Sequence, residues 1–160
     1  MSSVIKNDLI QRLGQEVRRE QEDVQAFDEA AAAHLGIHLT DLRVLGILDR
    51  LGTASASVLA REAGLTTGST TTLVDRLERA GYARRSRDDR DRRRVFIELT
   101  EHARQRIEPI WGPLAEEGLK LMNGYSEEEL RLIIDYLEQS RTLLEKHRKR
   151  VVEMSAGGDR

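Results

Sequence analysis

Two short stretches of this chain carry side chains suited to binding a polyanion. Small hydroxyl residues crowd positions 66–72, at the expected start of a helix, where hydroxyl groups and helix amides can hydrogen-bond phosphate oxygens or base edges. Arg84–Arg94 holds seven arginines and three aspartates, a local charge of +4. The rest of the 160-residue chain therefore carries −6 of the net charge of −2. Because local charge decides where a polyanion docks, these stretches predict a nucleic-acid surface.

The elements around these stretches have the order of a winged helix-turn-helix. Val58–Ala63 and Thr70–Ala80 each predict a short helix followed by a glycine. Residues 83–99 then predict two strands around a charged tip. The second strand alternates, and the residues that we expect to face the core are Val95, Ile97 and Leu99.

Long helical patterns flank this winged unit. Apolar residues recur at helical spacing within 5–34 and within 101–153. These helices are too long to be covered by so small a unit, so a second copy of the chain is the expected partner. We predict one domain, 1–160, in which the winged DNA-binding region is 40–100 and the flanking helices dimerise. The predicted fold class is mainly α with a small β-wing.

Three local details of the helices can be predicted. Thr40 is the expected N-cap of the helix before the helix-turn-helix, with Asp41 in its first turn. Pro109 and Pro113 predict a kink or a break in the helix after the wing, near Trp111 and Gly112. From Met154 onward we expect a frayed tail.

Double-stranded DNA is the polyanion that a helix-turn-helix is built to bind. The second helix enters the major groove with its N-terminal residues nearest the bases, and arginines of the wing suit a narrow minor groove. Arg76 is expected to project outward and to contact a phosphate or a guanine. The predicted DNA contacts are Thr66, Thr67, Ser69, Thr70, Thr71, Arg76, Arg87, Arg90, Arg92 and Arg93.

Other functions have less support in the sequence. The chain shows no G-x-S-x-G, P-loop or dinucleotide fingerprint, so we do not expect an enzyme. His34 and His38 have the spacing of metal ligands on a helix, but Gly36 lies between them and the chain has no cysteine. We therefore predict no metal or other cofactor. A metal-responsive regulator and a winged-helix adaptor that binds only proteins remain as alternatives.

The overall composition is consistent with a cytoplasmic protein. The chain has no cysteine, so it has no disulfide framework, and its apolar runs are only a few residues long. Its first residues lack the charged-then-apolar pattern of a signal peptide. We expect no association with a membrane.

Several motifs resemble the MarR (multiple antibiotic resistance regulator) family of bacterial transcription factors. They are Leu73–Tyr82, then Arg85, Asp91–Arg93 and Val95–Thr100, and the order of helices is similar across essentially the whole chain. The resemblance implies a homodimer, built from the terminal helices, that binds a pseudo-palindromic operator. It also implies a sequence-specific regulator, most often a repressor, whose DNA binding responds to a small molecule held between the dimerisation and DNA-binding regions. By position, the residues expected to line such an effector pocket are His34, His38, Arg43 and Trp111.

Overall fold

The computed structural model describes residues 2–87 and 95–157, which are mostly helical with one small antiparallel sheet. Contacts divide the chain into two compact units, Met1–Ile110 and Trp111–Arg160. The mostly helical structure with one small sheet confirms the predicted fold class. In chain order the elements are α1 Ser2–Leu35, α2 Leu39–Leu51, β1 Thr53–Ala54, α3 Ala56–Ala63, α4 Thr67–Arg79, β2 Ala83–Arg87, β3 Val95–Leu99, α5 Glu101–Met122 and α6 Glu127–Gly157.

The core of the first unit holds α4 by its inner face. Apolar side chains from α2, α3, α4 and β3 meet here, and burying each contributes about 1.5–3 kcal/mol. The largest of those that are fully buried are Leu45, Leu48, Leu59, Leu77 and Ile97. The second helix of the helix-turn-helix is thus fixed by packing, which leaves the opposite face of α4 to solvent.

The sheet has the order β1-β3-β2, with β3 paired on both sides. Ala83 pairs with Leu99 at the buried end of the hairpin, and Arg87 pairs with Val95 at the other end. Ile97 and Leu99 face the core as predicted, but Val95 is 42% exposed. The prediction for Val95 is wrong because strand alternation continues past the point where the core ends.

Two helix starts differ from the predictions. The N-cap of α2 is His38, whose backbone N–H donates to Asp41 Oδ2 at 3.2 Å, so the predicted cap at Thr40 lies inside the helix. The N-cap of α4 is Thr66, whose Oγ1 accepts from the Ser69 backbone N–H at 3.2 Å. The recognition helix therefore begins three residues before Thr70. Hydroxyl residues fill this stretch, and the pattern alone did not show which of them was the cap.

The helices after the wing are more continuous than expected. Helix α5 passes through Pro109 and Pro113 without interruption, so the alternative of a break is wrong and the alternative of a kink stays a prediction. An interior proline removes one hydrogen bond of the ladder, and the remaining bonds still carry the helix. Helix α6 continues to Gly157, so the predicted start of a frayed tail at Met154 is wrong, and 158–160 lie outside the described residues.

The long helices leave many apolar side chains uncovered. In the second unit, none of the described side chains between 111 and 155 is buried. Exposed apolar residues of α6 include Leu132, Ile134, Leu137, Leu143, Leu144, Val151 and Val152. The first half of α1 exposes Val4, Ile5, Leu9, Ile10 and Leu13. Among the described residues no single helix could cross a membrane by length and apolarity, and only α1 and α2 as a bent pair meet those criteria.

Candidate nucleic-acid interface

The outer face of α4 is a row of small polar residues. Thr67, Ser69 and Thr71 are exposed, as are Gly68 and Thr72, which the list of predicted contacts had omitted. The exposed Thr66 closes the row at the N-cap, where its hydroxyl donates to Ser69 Oγ at 2.8 Å. A helix N-terminus fronted by short hydroxyl side chains allows close approach to a phosphate or a base edge.

Thr70 is not part of this surface. Its side chain is fully buried, and its Oγ1 donates to the Thr66 carbonyl at 2.9 Å. A helix turns about 100° per residue, and Thr70 falls on the same side as the buried Leu73, Val74 and Leu77. The residue was predicted to contact DNA because it belongs to the hydroxyl run, but its position on the helix points it into the core.

Arg76 is directed to a buried carboxylate instead of projecting outward. Its Nε and Nη2 donate to Asp41 Oδ2 and Oδ1 at 2.8 and 2.5 Å, which joins α4 to the first turn of α2. The Asp41 side chain is 1% exposed and that of Arg76 is 38% exposed. The hydrogen bonds and charge of Asp41 raise the pKa of the Arg76 guanidinium, which stays protonated. The predicted orientation of Arg76 is therefore wrong.

Arg85 ties the first strand of the wing to the same helix. Its Nη2 donates to Asp75 Oδ1 at 2.6 Å, its backbone N–H donates to Glu78 Oε1 at 2.9 Å, and its Nη1 also binds Glu78. Hydrogen bonding to Asp75 and the charge of Glu78 raise the pKa of Arg85. Consecutive residues of α4, Asp75 and Arg76, are thus engaged by different neighbouring elements.

Arg84 and Arg87, the other described wing arginines, are both exposed and differ in whether they form an ion pair. Arg84 Nε donates to Glu98 Oε1 across the hairpin at 2.9 Å. Arg87 is exposed, and within the described ranges it forms no ion pair. The predicted contacts Arg90, Arg92 and Arg93 lie outside the described residues. The three ion pairs Arg84–Glu98, Arg85–Asp75 and Arg85–Glu78 show that part of the arginine run serves the fold.

Comparison with known proteins identifies the family. Residues 37–95 match the model of the MarR family. The HTH-type transcriptional regulator YcgE of Bacillus subtilis is 41% identical over 78% of this chain and 81% of its own length. The chain belongs to the MarR family. A second B. subtilis HTH-type regulator, YfiV, is 34% identical to this MarR chain over 72% of each.

Solved structures agree with this assignment. FabT of Streptococcus pneumoniae, in complex with DNA, covers 85% of this MarR chain with a TM-score of 0.65 and 25% identity, and 97% of FabT is matched. NadR in complex with 4-hydroxyphenylacetate covers 78% with a TM-score of 0.60 and 25% identity, and 88% of NadR is matched. The protein is a DNA-binding transcriptional regulator with a winged helix-turn-helix, as its sequence predicted.

The residues predicted to line an effector pocket lie on several elements of the MarR chain. His34 is in the last turn of α1, His38 caps α2, Arg43 is exposed on α2, and Trp111 belongs to the second unit. Gly36, at φ +69°, separates the two histidines, so they do not share one helical face. In the part of the chain that the structure describes, no three potential ligands are grouped for a metal ion.

Among the described residues, a surface depression of about 640 Å³ lies beside β1, the start of α3 and β3. Its lining includes Leu51, Val58, Val95 and Phe96, and it contains none of the four predicted effector residues. The effector assignment therefore remains a prediction.

Sequence reasoning missed the partners of the arginines. Asp41 lies 35 positions before Arg76, and it was interpreted only as a first-turn anion of α2. An aspartate in the first turn suits a capping role in any helix. No local signal therefore indicated that Asp41 also binds Arg76. For Arg85, the spacing of Asp75 and Glu78 by three on one helix indicates a shared face, and this could have suggested a common cation.

Proposed function

We propose that this MarR-family regulator binds a pseudo-palindromic operator as a homodimer, represses transcription there, and responds to a small-molecule effector. The observation that carries the proposal is the exposed hydroxyl face of α4 next to an arginine-rich hairpin. The first would enter the major groove and the second would follow the backbone into the minor groove. The proposed contacts are Thr66, Thr67, Ser69, Thr71, Arg87, Arg90, Arg92 and Arg93.

The uncovered helix faces support the homodimer. Residues such as Leu9 in α1 and Leu137 in α6 are 57% and 51% exposed, within rows of similar apolar side chains. Apolar rows of this length mark an association surface, since isolated soluble proteins rarely expose them. A two-fold dimer would present two copies of α4 to successive turns of a palindromic site. The proposal assigns 5–34 and 101–153 to dimerisation and 40–100 to DNA binding within one domain.

Two solved structures of similar proteins support the proposed classes of ligand, which are DNA and a small organic molecule. FabT is seen with DNA and NadR with 4-hydroxyphenylacetate, so regulators of this fold accommodate both kinds of partner. For this chain we propose a small organic effector, and the residues proposed by position to line its site are His34, His38, Arg43 and Trp111. The proposal includes no catalytic step and places the protein in the cytoplasm, with its operator.

The test compares operator binding by matched variants. Fluorescence anisotropy would use a duplex from the gene's own upstream region and a scrambled duplex of the same composition. The double variant Ser69→Ala/Thr71→Ala should lose about 1–3 kcal/mol of operator binding and little scrambled-duplex binding, because base contacts are lost while phosphate contacts remain. The control is Thr142→Ala, an exposed threonine of α6, which should bind like the wild type.

The stoichiometry of the same complex tests the homodimer. Light scattering should show two protomers in free solution and two on each operator duplex. If the wild type binds neither duplex at low salt and instead captures a protein partner, the adaptor alternative replaces the proposal. A monomer that binds the operator at one protomer per duplex would remove the homodimer from it.

A further inference from the structure

Asp41 is a buried carboxylate whose hydrogen bonds join the start of α2 to α4. It accepts from the backbone N–H of His38 at the start of α2 and from Nε and Nη2 of Arg76 on α4. Its side chain is 1% exposed, so these donors take the place of water. A buried charge left without such a partner would be strongly unfavourable.

The two-pronged geometry of this contact fixes direction as well as distance. A guanidinium that donates through both Nε and Nη2 to one carboxylate must lie nearly coplanar with it. Arg76 is in the third turn of α4, one residue after Asp75, which binds Arg85 of the wing. The rotation of α4 about its own axis is thereby fixed on the α2 side by Arg76 and on the wing side by Asp75.

We propose that Arg76 and Asp41 are a positioning pair, which sets the orientation of the recognition helix and makes no contact with DNA. This inference rests on the proposed operator binding, since orientation matters only if the exposed face of α4 meets base edges. It assigns to Arg76 a role other than the base or phosphate contact that its place on a recognition helix suggests.

The two roles of Arg76 make opposite predictions for Asp41. If Arg76 contacts phosphate, Asp41→Asn removes a competing negative charge and frees the guanidinium, so operator affinity should rise. If the pair positions α4, the same variant weakens the bond to Arg76, and operator affinity should fall by roughly tenfold, as for the loss of one charged hydrogen-bonded contact. Binding to a scrambled duplex should change by less than about twofold, because sequence-independent binding depends on phosphate contacts made elsewhere.

An uncharged pair of side chains at positions 41 and 76 should restore operator binding. Asp41→Asn/Arg76→Gln replaces the ion pair by amides that can still hydrogen-bond each other and accept from His38, without any cation at position 76. Arg76→Gln alone leaves the Asp41 carboxylate buried without its counter-ion and should bind the operator about tenfold more weakly. The double variant should recover most of that loss. A guanidinium that touched DNA could not be replaced in this way.

The salt dependence of binding separates the roles independently. The slope of log affinity against log salt should be the same for wild type, Arg76→Gln and the double variant. A slope that becomes shallower by about 0.9 in both Arg76 variants would show a lost phosphate contact and overturn the proposal. Circular dichroism and thermal melting identify variants that are unfolded. If Arg76→Gln is unfolded, two measurements still test the proposal. They are the direction of the affinity change in Asp41→Asn and the operator affinity of the double variant.

The outcomes distinguish this inference from the proposed function. If the wild-type protein binds no duplex at low salt, both the proposed function and the positioning role are rejected. If the wild type prefers its operator, only the positioning role is rejected by an Asp41→Asn variant that binds more tightly or by a double variant that does not recover binding.

Discussion

Arg85 Nη2 lies 2.6 Å from Asp75 Oδ1, and this contact joins the first strand of the wing to the recognition helix. Two positions further along β2, Arg87 is exposed and forms no ion pair within the described residues. Two arginines of one charged run thus stand in different environments, and they offer a matched pair of substitutions.

We expect Arg85→Ala to lower stability and Arg87→Ala to lower the salt dependence of DNA binding. Arg85 is about one-third exposed, so solvent screening limits the expected loss of unfolding free energy to about 1 kcal/mol. Arg87→Ala should leave the melting temperature unchanged and make the salt slope shallower by about 0.9 if it contacts one phosphate. Denaturant melts and anisotropy titrations at several salt concentrations measure both. An equal loss of slope in the two variants would place Arg85 on the DNA as well.

Gly68→Ala should make the protein more stable and a weaker DNA binder. Gly68 is the second residue of α4, has no positive φ, and a Cβ added there would meet no atom within 4 Å. Alanine should therefore favour the helix by at most about 0.5–1 kcal/mol, the value for a helix interior, with no clash inside the protein. On DNA the added methyl group would hold the helix away from the groove. The outcome is read by thermal melting and operator titration; a tighter operator complex would contradict the close approach proposed for this face.

Thr70→Val should leave operator affinity unchanged, in contrast to Ser69→Ala/Thr71→Ala. Thr70 is fully buried, so valine preserves its shape and removes only the hydrogen bond to the Thr66 carbonyl. We expect a loss of stability of about 0.5–1.5 kcal/mol, the usual value for one such bond. Comparing the affinities at a temperature where both variants are folded tests the assignment. Selective loss of operator binding in Thr70→Val would return this residue to the DNA-contacting set.

Leu137→Glu should shift the protein toward monomers. Leu137 is 51% exposed within the apolar row of α6, and a carboxylate placed in a dimer interface would lose its hydration. The control is Gln139→Glu, which adds the same charge on another face of α6, where Gln139 now binds Asp135. Sedimentation equilibrium over a range of concentrations gives the dissociation constant. A dimer equally weakened by both variants would indicate a general effect of charge instead of a specific face.

The sequence by itself determined the elements and their order. Periodicity, glycines and hydroxyl caps are local signals, and they gave the helix-turn-helix, the strand pair and the long flanking helices close to their observed bounds. The motifs from Leu73 to Thr100 were sufficient for the family, which the comparisons confirm. These features follow from residues only a few positions apart, and neighbours in sequence are always neighbours in space.

Only the tertiary structure decided which side chains of those elements are available to a ligand. Thr70 and Thr71 are adjacent and chemically identical, but one is buried and the other exposed, because the packing of α4 on its neighbours selects the inner face. Arg76 is bound to a residue 35 positions away, and the Arg87 side chain forms no ion pair within the described residues. Such pairings depend on which elements come together in space, and residue type and local spacing carry no direct information about that.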